Sequence, residues 1–421
     1  MNRAAEAREI ALGTRAHLGT LQSWAFRRVR ALVEQLESGG LTTVLPDGSV
    51  HRFGDPSADP QARIRVRDPR FFWRVVRDGD VGLGESYTAG QWDCDDLVSL
   101  IRLFHENQHL MYSPVAFPNW IRRWSDRLLH LSRRNSLAGS GSNIEAHYDL
   151  GDRLFELFLD ATMSYSCALW NSPEESLERA QLRKIDALLD KARLQPGDEL
   201  LEIGCGWGSL AIRAAQRTGC RVKGITLSKN QLQHARQRAT DAGVADRVEF
   251  ELCDYRRVEG RFDKIISVEM LEAVGHKYLG TFFAACDRVL ARDGLVVIQV
   301  ITFPDQKYDG YRNGCDWLQK YIFPGGIAPS LTALTEAMTA QSELVVETLE
   351  NIGPHYAPTL AEWRRRFDAQ TNELSRRGYD EKFQRTWRYY LAYCEAGFAA
   401  RTFGDLQLVL TRPNNRSLTL F

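Results

Sequence analysis

The 421-residue chain carries 54 basic and 54 acidic side chains, so its formal net charge at pH 7 is zero. Without an overall field there is no general attraction to nucleic acid, and no nucleic-acid partner is expected. The length leaves room for two domains with sizeable cores. No apolar run approaches the roughly 18 residues of a membrane-spanning helix, and the polar start has no signal-peptide core. The eight cysteines form no C-x-x-C pair or Cys/His cluster, which predicts no metal site and favours a cytoplasmic chain with reduced thiols.

Residues 1–118 predict a small α+β domain. Residues 1–37 place apolar side chains at helical spacing, and Pro46-Asp47-Gly48 separates two strand-like runs, which indicates a hairpin. The glycine-rich segment 78–87 is predicted to be a loop. No acid–base or nucleophile constellation occurs before residue 140, so a scaffold or binding role is favoured here.

Residues 119–142 predict a basic amphipathic linker. Trp120, Trp124, Leu128 and Leu131 share one helical face, and five arginines lie elsewhere on the segment 120–134. Such a helix suits a membrane interface. It equally suits packing between two domains, which is the more common use of an amphipathic face.

From residue 143 to residue 421, strand-like and helix-like runs alternate. This predicts an α/β domain with a doubly wound, mostly parallel seven-stranded sheet of the Rossmann-like type. The predicted strands are 200–203, 221–226, 248–254, 264–270, 294–302, 344–350 and 406–411, with an insertion at about 303–342. Ligands of such folds bind beyond the carboxyl ends of the strands.

A glycine-rich turn follows the first strand of this domain. Gly204, Gly206 and Gly208 have the spacing G-x-G-x-G, followed by an apolar-periodic segment that indicates a helix. Glycine lets the backbone turn tightly and approach a ligand, and the helix directs free N–H groups at that ligand. The spacing differs from the G-x-G-x-x-G dinucleotide fingerprint and is similar to motif I of S-adenosylmethionine-dependent methyltransferases. Another nucleotide-binding fold or a purely structural turn are the alternatives.

The next two strand ends carry further candidates for this ligand site. Thr226, Leu227 and Gln231 follow the second strand, where a ribose would lie. Asp254 and Tyr255 follow the third strand, where a carboxylate and a ring suit an adenine. The alternative for Asp254 is that it caps a turn.

Two carboxylates, Glu269 and Glu272, stand three residues apart at the end of the fourth strand. Packing alone does not require this pair beside a binding crevice. The rival explanation is a helix start, where the macrodipole favours acidic side chains.

The chain resembles the cyclopropane fatty acid synthase family, relatives of the mycolic acid cyclopropane synthases. The resemblance is strong over about 140–415 and weaker over residues 1–118, where it implies a lipid-binding domain. The matching segments are AHYDLGDRLFELFLDATMSYSCALW (146–170), LLEIGCGWG (200–208), GITLSKNQ (224–231), SVEMLEAVG (267–275), KYIFPGG (320–326) and LAYCEAGFAARTFGDLQLVL (391–410). The resemblance implies methyl transfer from S-adenosylmethionine to a cis double bond of an acyl chain. The resulting carbocation loses a proton and closes a ring.

The resemblance also implies a bound bicarbonate as the proton acceptor. Its implied ligands are Cys167, Glu272, Ile301 and Tyr356, and the position of a further, histidine ligand is occupied by Gln299. Glutamine can hydrogen-bond an anion but cannot relay a proton near neutral pH. This substitution leaves the fate of the cation open.

Aromatic side chains suit a reaction that passes through a cation, because their faces attract positive charge. Tyr165, which also falls at the cosubstrate site, Phe303, Tyr321 and Phe323 are the candidates. Lining a channel for the acyl tail is an equal alternative.

We therefore predict a cyclopropane-fatty-acyl-phospholipid synthase type of enzyme. The first alternative is the same methyl transfer ending in a methylene- or methyl-branched chain. The second is a small-molecule methyltransferase with a scaffold domain, and a non-catalytic lipid-binding protein is disfavoured. The expected partners are unsaturated phospholipids, met by a cytoplasmic protein at the inner face of the membrane. A homodimer is open on family analogy.

Overall fold

The computed structural model describes residues 19–107, 109–110 and 152–418. The linker predicted at 119–142 lies outside the described residues. The chain divides into two compact units, residues 1–123 with 375–396, and residues 124–374 with 397–421. Segment 375–396 thus joins the first unit, although the sequence boundaries assigned it to the second domain; those boundaries otherwise stay a prediction. Within the described residues, no helix is both long and apolar enough to cross a membrane.

The first unit contains a four-stranded sheet in the order β2-β1-β3-β4. Its elements are α1 (Thr20–Val33), β1 (Gly40–Val44), β2 (Val50–Gly54), β3 (Gln61–Val66), α2 (Arg70–Thr88), β4 (Trp92–Cys94) and α3 (Leu97–Glu106). The predicted hairpin is confirmed, since β1 and β2 pair antiparallel and Gly48 supplies a φ of 87° in the turn.

The predicted loop at 78–87 is wrong, because these residues continue α2. Phe72, Val76 and Val81 supply a buried face that stabilises the helix in spite of its glycines. Gly79 interrupts the helical backbone with φ 61° and ψ −127°. Tertiary packing has overridden the low helix propensity of glycine.

Segment 375–396 is fixed to the first unit by Arg385. Its guanidinium lies 4.1 Å from the centre of the Tyr87 ring and donates to Asp93 Oδ1 at 2.8 Å and to the Trp92 carbonyl oxygen at 2.7 Å. One side chain therefore joins a helix from late in the chain to α2 and β4.

The second unit contains the predicted seven-stranded sheet, in the order β10-β11-β9-β8-β5-β6-β7. The pairs β9–β8, β8–β5, β5–β6 and β6–β7 are parallel, whereas β11 is antiparallel to both β9 and β10. The strands are β5 (Glu199–Ile203), β6 (Arg221–Thr226), β7 (Val248–Leu252), β8 (Phe262–Val268), β9 (Leu290–Thr302), β10 (Val345–Asn351) and β11 (Gly404–Thr411). The mostly parallel α/β fold is thus confirmed.

Helices cover this sheet, whose central strands are apolar on both faces. The helices of this unit are α4 (Asp152–Phe155), α5 (Leu177–Lys191), α6 (Ser209–Thr218), α7 (Lys229–Asp241), α8 (Leu279–Val289), α9 (Asp305–Arg312), α10 (Trp317–Tyr321), α11 (Leu331–Gln341), α12 (Tyr356–Ala369) and α13 (Thr371–Arg376). The next helix, α14 (Glu381–Ala399), belongs mostly to segment 375–396 of the first unit. Ser176 and Ser228 cap α5 and α7 through their side chains. Because β5, β6, β7 and β8 run parallel, their carboxyl ends meet at one edge of the sheet.

Candidate active site

The glycine turn between β5 and α6 has the backbone that its sequence requires. Gly204, Gly206 and Gly208 have φ values of 84°, 52° and 85°, in the region that favours glycine. A Cβ at Gly208 would lie 2.7 Å from Phe250 Cζ, whereas one at Gly206 would meet none of the described atoms within 4 Å. The turn is thus packed against the protein at Gly208 and open at Gly206, next to the start of α6. This arrangement fits a ligand that approaches the backbone closely.

The side chains predicted beyond β6 are organised as a cap of α7. Thr226 and Gln231 are buried, and their side-chain oxygens Oγ1 and Oε1 are 2.9 Å apart. The Ser228 N–H donates to Thr226 Oγ1 at 3.1 Å, and Leu227 between them is half-buried. These residues hold the end of β6 rigid beside the turn, and their contact with a ligand stays a prediction.

Beyond β7, Asp254 accepts hydrogen bonds from Arg256, from the backbone N–H at 2.9 Å and from Nε at 2.8 Å. These contacts with Arg256 hold the pKa of Asp254 below its usual range in spite of burial. The cap that sequence offered as the alternative is therefore present. Tyr255 packs on Phe282, with ring centres 5.6 Å apart. An adenine contact for Asp254 and Tyr255 stays a prediction.

Segment 162–167 runs from the glycine turn to a second group of polar residues. Arg238 donates to the carbonyl oxygens of Thr162 at 3.1 Å and Trp207 at 3.0 Å, which ties the segment to the turn. At the other end, Ser166 Oγ accepts from Lys184 Nζ at 2.7 Å. Tyr165 lies between these anchors.

Aromatic rings follow the same path. Phe155 lies between Trp207 and Tyr165, with ring-centre distances of 5.3 and 5.0 Å. Trp363 lies between Tyr165 and Tyr356, at 5.3 and 6.1 Å. A continuous aromatic wall therefore joins the turn to Tyr356, and such a wall can stabilise a nearby cation.

The second polar group is a carboxylate cluster formed by Glu269, Glu272 and Asp405. Glu269 Oε1 accepts from the Cys167 N–H at 2.8 Å and from Gln299 Nε2 at 2.8 Å, and its Oε2 accepts from the Tyr356 hydroxyl at 2.6 Å. Gln299 Nε2 also lies 3.2 Å from Asp405 Oδ2. Four of the five residues predicted to be catalytic, Cys167, Gln299, Tyr356 and Ile301, thus meet at this cluster or its edge.

The fifth predicted residue, Glu272, is itself a member of the cluster and contacts Ile301. Its Oε1 accepts from the Ile301 N–H, and its buried Oε2 has no partner among the described residues. The Ile327 N–H donates to the Glu272 carbonyl oxygen at 2.8 Å, which fixes the turn 323–327 beside it. Glu272 is therefore held by the backbone of β9 on one side and of this turn on the other.

The orientation of the Gln299 amide follows from its neighbours. Lys191 Nζ, which can only donate, contacts Gln407 Oε1, so Gln407 Nε2 points to Gln299 Oε1, 2.9 Å away. Gln299 must then present its Nε2 donor to Glu269. Asp405 and Gln407 come from β11, whose register places Gln407 opposite Gln299 and Asp405 opposite Ile301.

Burial dominates the acidity of the cluster. It raises the pKa of Glu272 to about 8, with the charge of Glu269 as the second cause. It also raises the pKa of Glu269 and of Asp405, which is completely buried. Glu269 and Glu272 are half-buried as whole residues, but the dense protein around their carboxyl groups still disfavours charge there.

Hydrogen bonds decide where the negative charge resides. The donors Tyr356, Cys167 and Gln299 and the nearby Lys184 cation all lower the pKa of Glu269 against burial. For Asp405, burial and then the charges of Glu269 and Glu272 raise the pKa, and its Oδ1 has no hydrogen-bond partner among the described residues. Of Glu269 and Asp405, Glu269 is therefore the one whose ionised form is favoured.

The residues predicted to hold bicarbonate do not fit that anion with Glu269 in place. The Cys167 N–H, the Tyr356 hydroxyl and the Gln299 amide already donate to Glu269, and the Ile301 N–H donates to Glu272. Both backbone donors assigned to the anion thus serve carboxylates of the chain itself. No step is derived through bicarbonate.

The predicted acyl-contacting residues are spread over several elements. Phe303 is half-buried and stacks on Tyr311 at 4.2 Å. Phe323 is half-buried in the turn beside Glu272, whereas Tyr321 on α10 is 45% exposed. A role in binding substrate stays a prediction for all three.

Sequence reasoning missed Asp405, Gln407 and Lys184 and gave Glu269 no assigned role. Glu269 stood out as one of two carboxylates three apart, which was a usable signal. The others became visible only through the register of β11 and the packing of α5.

The parallel sheet, the open glycine turn and the polar groups at the strand ends define an S-adenosylmethionine-dependent methyltransferase. Residues 136–408 match the family model described as mycolic acid cyclopropane synthetase, and the chain belongs to this family.

Two relatives match most of the chain. It is 40% identical over 385 residues to the tuberculostearic acid methyltransferase UfaA1 of Mycobacterium tuberculosis, covering 88% of each chain. It is 38% identical over 355 residues to the cyclopropane-fatty-acyl-phospholipid synthase of Escherichia coli, covering 83% of this chain and 88% of the relative. The crystal structure of the mycolic acid cyclopropane synthase CmaA1 with SAH and CTAB superposes with a TM-score of 0.60 at 32% identity, covering 65% of this chain and 98% of that one.

Proposed function

We propose that the chain transfers the methyl group of S-adenosylmethionine to the cis double bond of an acyl chain in a membrane phospholipid, giving a cyclopropane. The observation that carries this proposal is the aromatic wall between the glycine turn and the carboxylate cluster. It joins the glycine turn, the proposed methyl-donor site, to a buried group that can accept a proton.

Methyl transfer to an alkene requires an aromatic path of this kind. An alkene is a poor nucleophile, so the rate depends on positioning and on stabilising positive charge as it develops. The half-buried ring of Tyr165 can supply that stabilisation without acting as a strong nucleophile, and the fully buried Trp363 packs against it. The site needs a base only after the methyl group has moved.

Ring closure is the product that this geometry supports best. The π electrons bond to the methyl carbon while the bond from sulfur to that carbon breaks, which leaves a cation on the neighbouring carbon. When a base removes a proton from the new methyl group, the released electron pair closes the third carbon–carbon bond. A base held in the site favours this outcome, because it acts before the cation can rearrange.

The second candidate is a methylene- or methyl-branched product. Gln299 at the position of the implied histidine and the identity to the tuberculostearic acid methyltransferase support it. A hydride shift before loss of the proton would give the methylene branch from the same first step. A saturated methyl branch would need a reductant in addition.

A phospholipid substrate implies contact with a membrane surface. Drawing an acyl chain fully into water costs about 0.8 kcal/mol per CH₂, so the protein must collect the chain at the bilayer. We propose peripheral association with the inner face of the membrane, with Trp124 and Arg123 of the basic linker as part of the contact. Replacing both by alanine should weaken vesicle binding and spare S-adenosylmethionine affinity, with Arg247→Ala as a surface control. Unchanged vesicle binding would contradict this contact.

The reaction is tested by incubating the protein with S-adenosylmethionine and vesicles of dioleoylphosphatidylglycerol. Mass spectrometry of the acyl chains should show the addition of one CH₂, and proton NMR should show high-field cyclopropane signals. Vinylidene proton signals would establish the branched product instead. Turnover of a soluble acceptor without lipid would favour a small-molecule methyltransferase.

A further inference from the structure

We propose that the Glu269 carboxylate is the resident proton acceptor of this site and takes the place of bicarbonate. This inference rests on the proposed methyl transfer, and it assigns the base that the transfer requires. It follows from the finding that three donors implied for the anion, from Cys167, Gln299 and Tyr356, already donate to Glu269.

The contacts of Glu269 form an anion-binding set. A backbone N–H, a side-chain amide and a phenol hydroxyl converge on its two oxygens at 2.8, 2.8 and 2.6 Å. A carboxylate and a bicarbonate ion share a planar pair of oxygens that accept hydrogen bonds. The same donors therefore serve either anion but not both at once.

The backbone supports this role for Glu269. Its φ of 47° lies in the left-handed region that side chains rarely adopt, directly after the end of β8. The Glu269 N–H donates to the Gln299 carbonyl oxygen at 2.7 Å, which fixes this conformation. Such strain is typically retained at functional sites. Here it directs the carboxylate at Cys167 and Tyr356.

The proposed step balances without another reactant. A C–H bond of the newly transferred methyl group breaks, its electron pair forms the last carbon–carbon bond, and the proton bonds to a Glu269 oxygen. Glu269 is then a neutral carboxylic acid, which returns its proton to water after the product leaves. Asp405 and Gln299 act as positioning residues, since they contact Glu269 rather than the substrate.

Bicarbonate binding tests the inference without turnover. In a titration with ¹³C-bicarbonate followed by NMR, the wild-type protein should show no saturable broadening of the bicarbonate line. Glu269→Gly removes the carboxylate, relieves the positive φ and frees its three donors, so this variant should bind the ion. Glu269→Gln keeps the volume and should not bind it. Saturable binding to the wild-type protein that is as tight as binding to Glu269→Gly would overturn the inference.

Activity gives the second measurement, as lipid-dependent formation of S-adenosylhomocysteine in buffer freed of carbon dioxide. The wild-type rate should be unchanged by adding millimolar bicarbonate. Glu269→Gln should lose about 10²- to 10⁴-fold, the usual contribution of a general base, and Glu269→Gly should regain at least about tenfold with bicarbonate. A wild-type rate that requires bicarbonate would overturn the inference. Absence of lipid-dependent turnover in the wild-type protein would instead overturn the proposed substrate, and the NMR titration would still decide the role of Glu269.

Folding is controlled separately. Each variant should retain S-adenosylmethionine affinity, since Glu269 makes no hydrogen bond to the glycine turn among the described residues. Glu347→Gln, an exposed glutamate on β10, serves as the matched control and should behave as wild type in every assay.

Discussion

The glycine turn and the carboxylate cluster lie at the same edge of one sheet, but different parts of the chain build them. Backbone conformation makes the turn, and its three glycines lie within five consecutive residues. Side chains make the cluster, and they come from β9, β11, α12 and the loops after α4 and β8. A local element can bind a donor common to many methyltransferases, whereas the particular acceptor chemistry depends on distant segments meeting. Variants should separate the two functions accordingly.

The largest effect is expected from Gly206→Val in the turn. A branched side chain would be forced into a positive φ and into the open space beside α6. S-adenosylmethionine affinity should fall by at least about 100-fold, the equivalent of about 3 kcal/mol. Calorimetric titration measures this, and thermal unfolding provides the control. Full affinity would show that the ligand does not approach this turn.

Tyr356→Phe should have the next largest effect, now at the cluster. It removes the hydroxyl that donates to Glu269 at 2.6 Å and keeps the ring packed on Trp363 and Phe398. We expect kcat to fall about 10- to 100-fold through loss of a charge-assisted hydrogen bond. Affinity for S-adenosylmethionine should not change. An equal loss in both quantities would contradict the separation of turn and cluster.

The pH dependence of kcat tests the role of Glu269 as the proton acceptor. Glu269 must be ionised to accept a proton and its pKa is raised by burial, so activity should fall with decreasing pH from above the ordinary range of glutamate. The pKa of Glu269 is lowered by the Lys184 charge and by hydrogen bonds from Tyr356, Cys167 and Gln299. The neighbouring acids Glu272 and Asp405 oppose the ionisation of Glu269.

Lys184→Met tests this electrostatic balance. Removing the cation should raise the pKa of Glu269, so the acidic limb of kcat should move to higher pH. Lys184 donates to Ser166, and its charge also lowers the pKa of Glu202 beside the glycine turn, so kcat is measured at saturating S-adenosylmethionine. An acidic limb that stays in place or moves to lower pH would contradict the assignment.

The smallest effect is expected from Lys191→Met. This lysine lies three contacts from Glu269 and acts by orienting Gln407, which in turn orients Gln299. Loss of that constraint should reduce kcat by about two- to fivefold, because one net hydrogen bond contributes about 0.5–1.5 kcal/mol. Glu350→Gln removes only its exposed salt-bridge partner and should have no measurable effect.

The sequence predicted the turn and most strands because their signals are local. Gly204 to Gly208 lie next to a short apolar run, and β8, β9 and β11 contain similar apolar runs. Helix α2 was missed at 78–87 because glycine propensity was weighted above the buried face of Val76 and Val81.

The cluster could be predicted only in part. Resemblance identified Cys167, Glu272, Gln299, Ile301 and Tyr356 as a group, and the structure brings them together. The central position of Glu269 depends on its positive φ, and no sequence pattern around residue 269 predicts that backbone conformation. Asp405 and Gln407 depend on an antiparallel register with a partner over one hundred residues earlier.

That register also governs when the enzyme can become active during synthesis. Every other strand of the sheet has left the ribosome before β11, yet β11 orients Gln299 and neighbours Glu269. A nascent chain can form the parallel strands, the glycine turn and the donors of Glu269 before Gln407 on β11 orients the Gln299 amide. Long-range pairing of this kind forms late in folding. Emergence of β11 therefore completes the orientation of an amide that donates to Glu269.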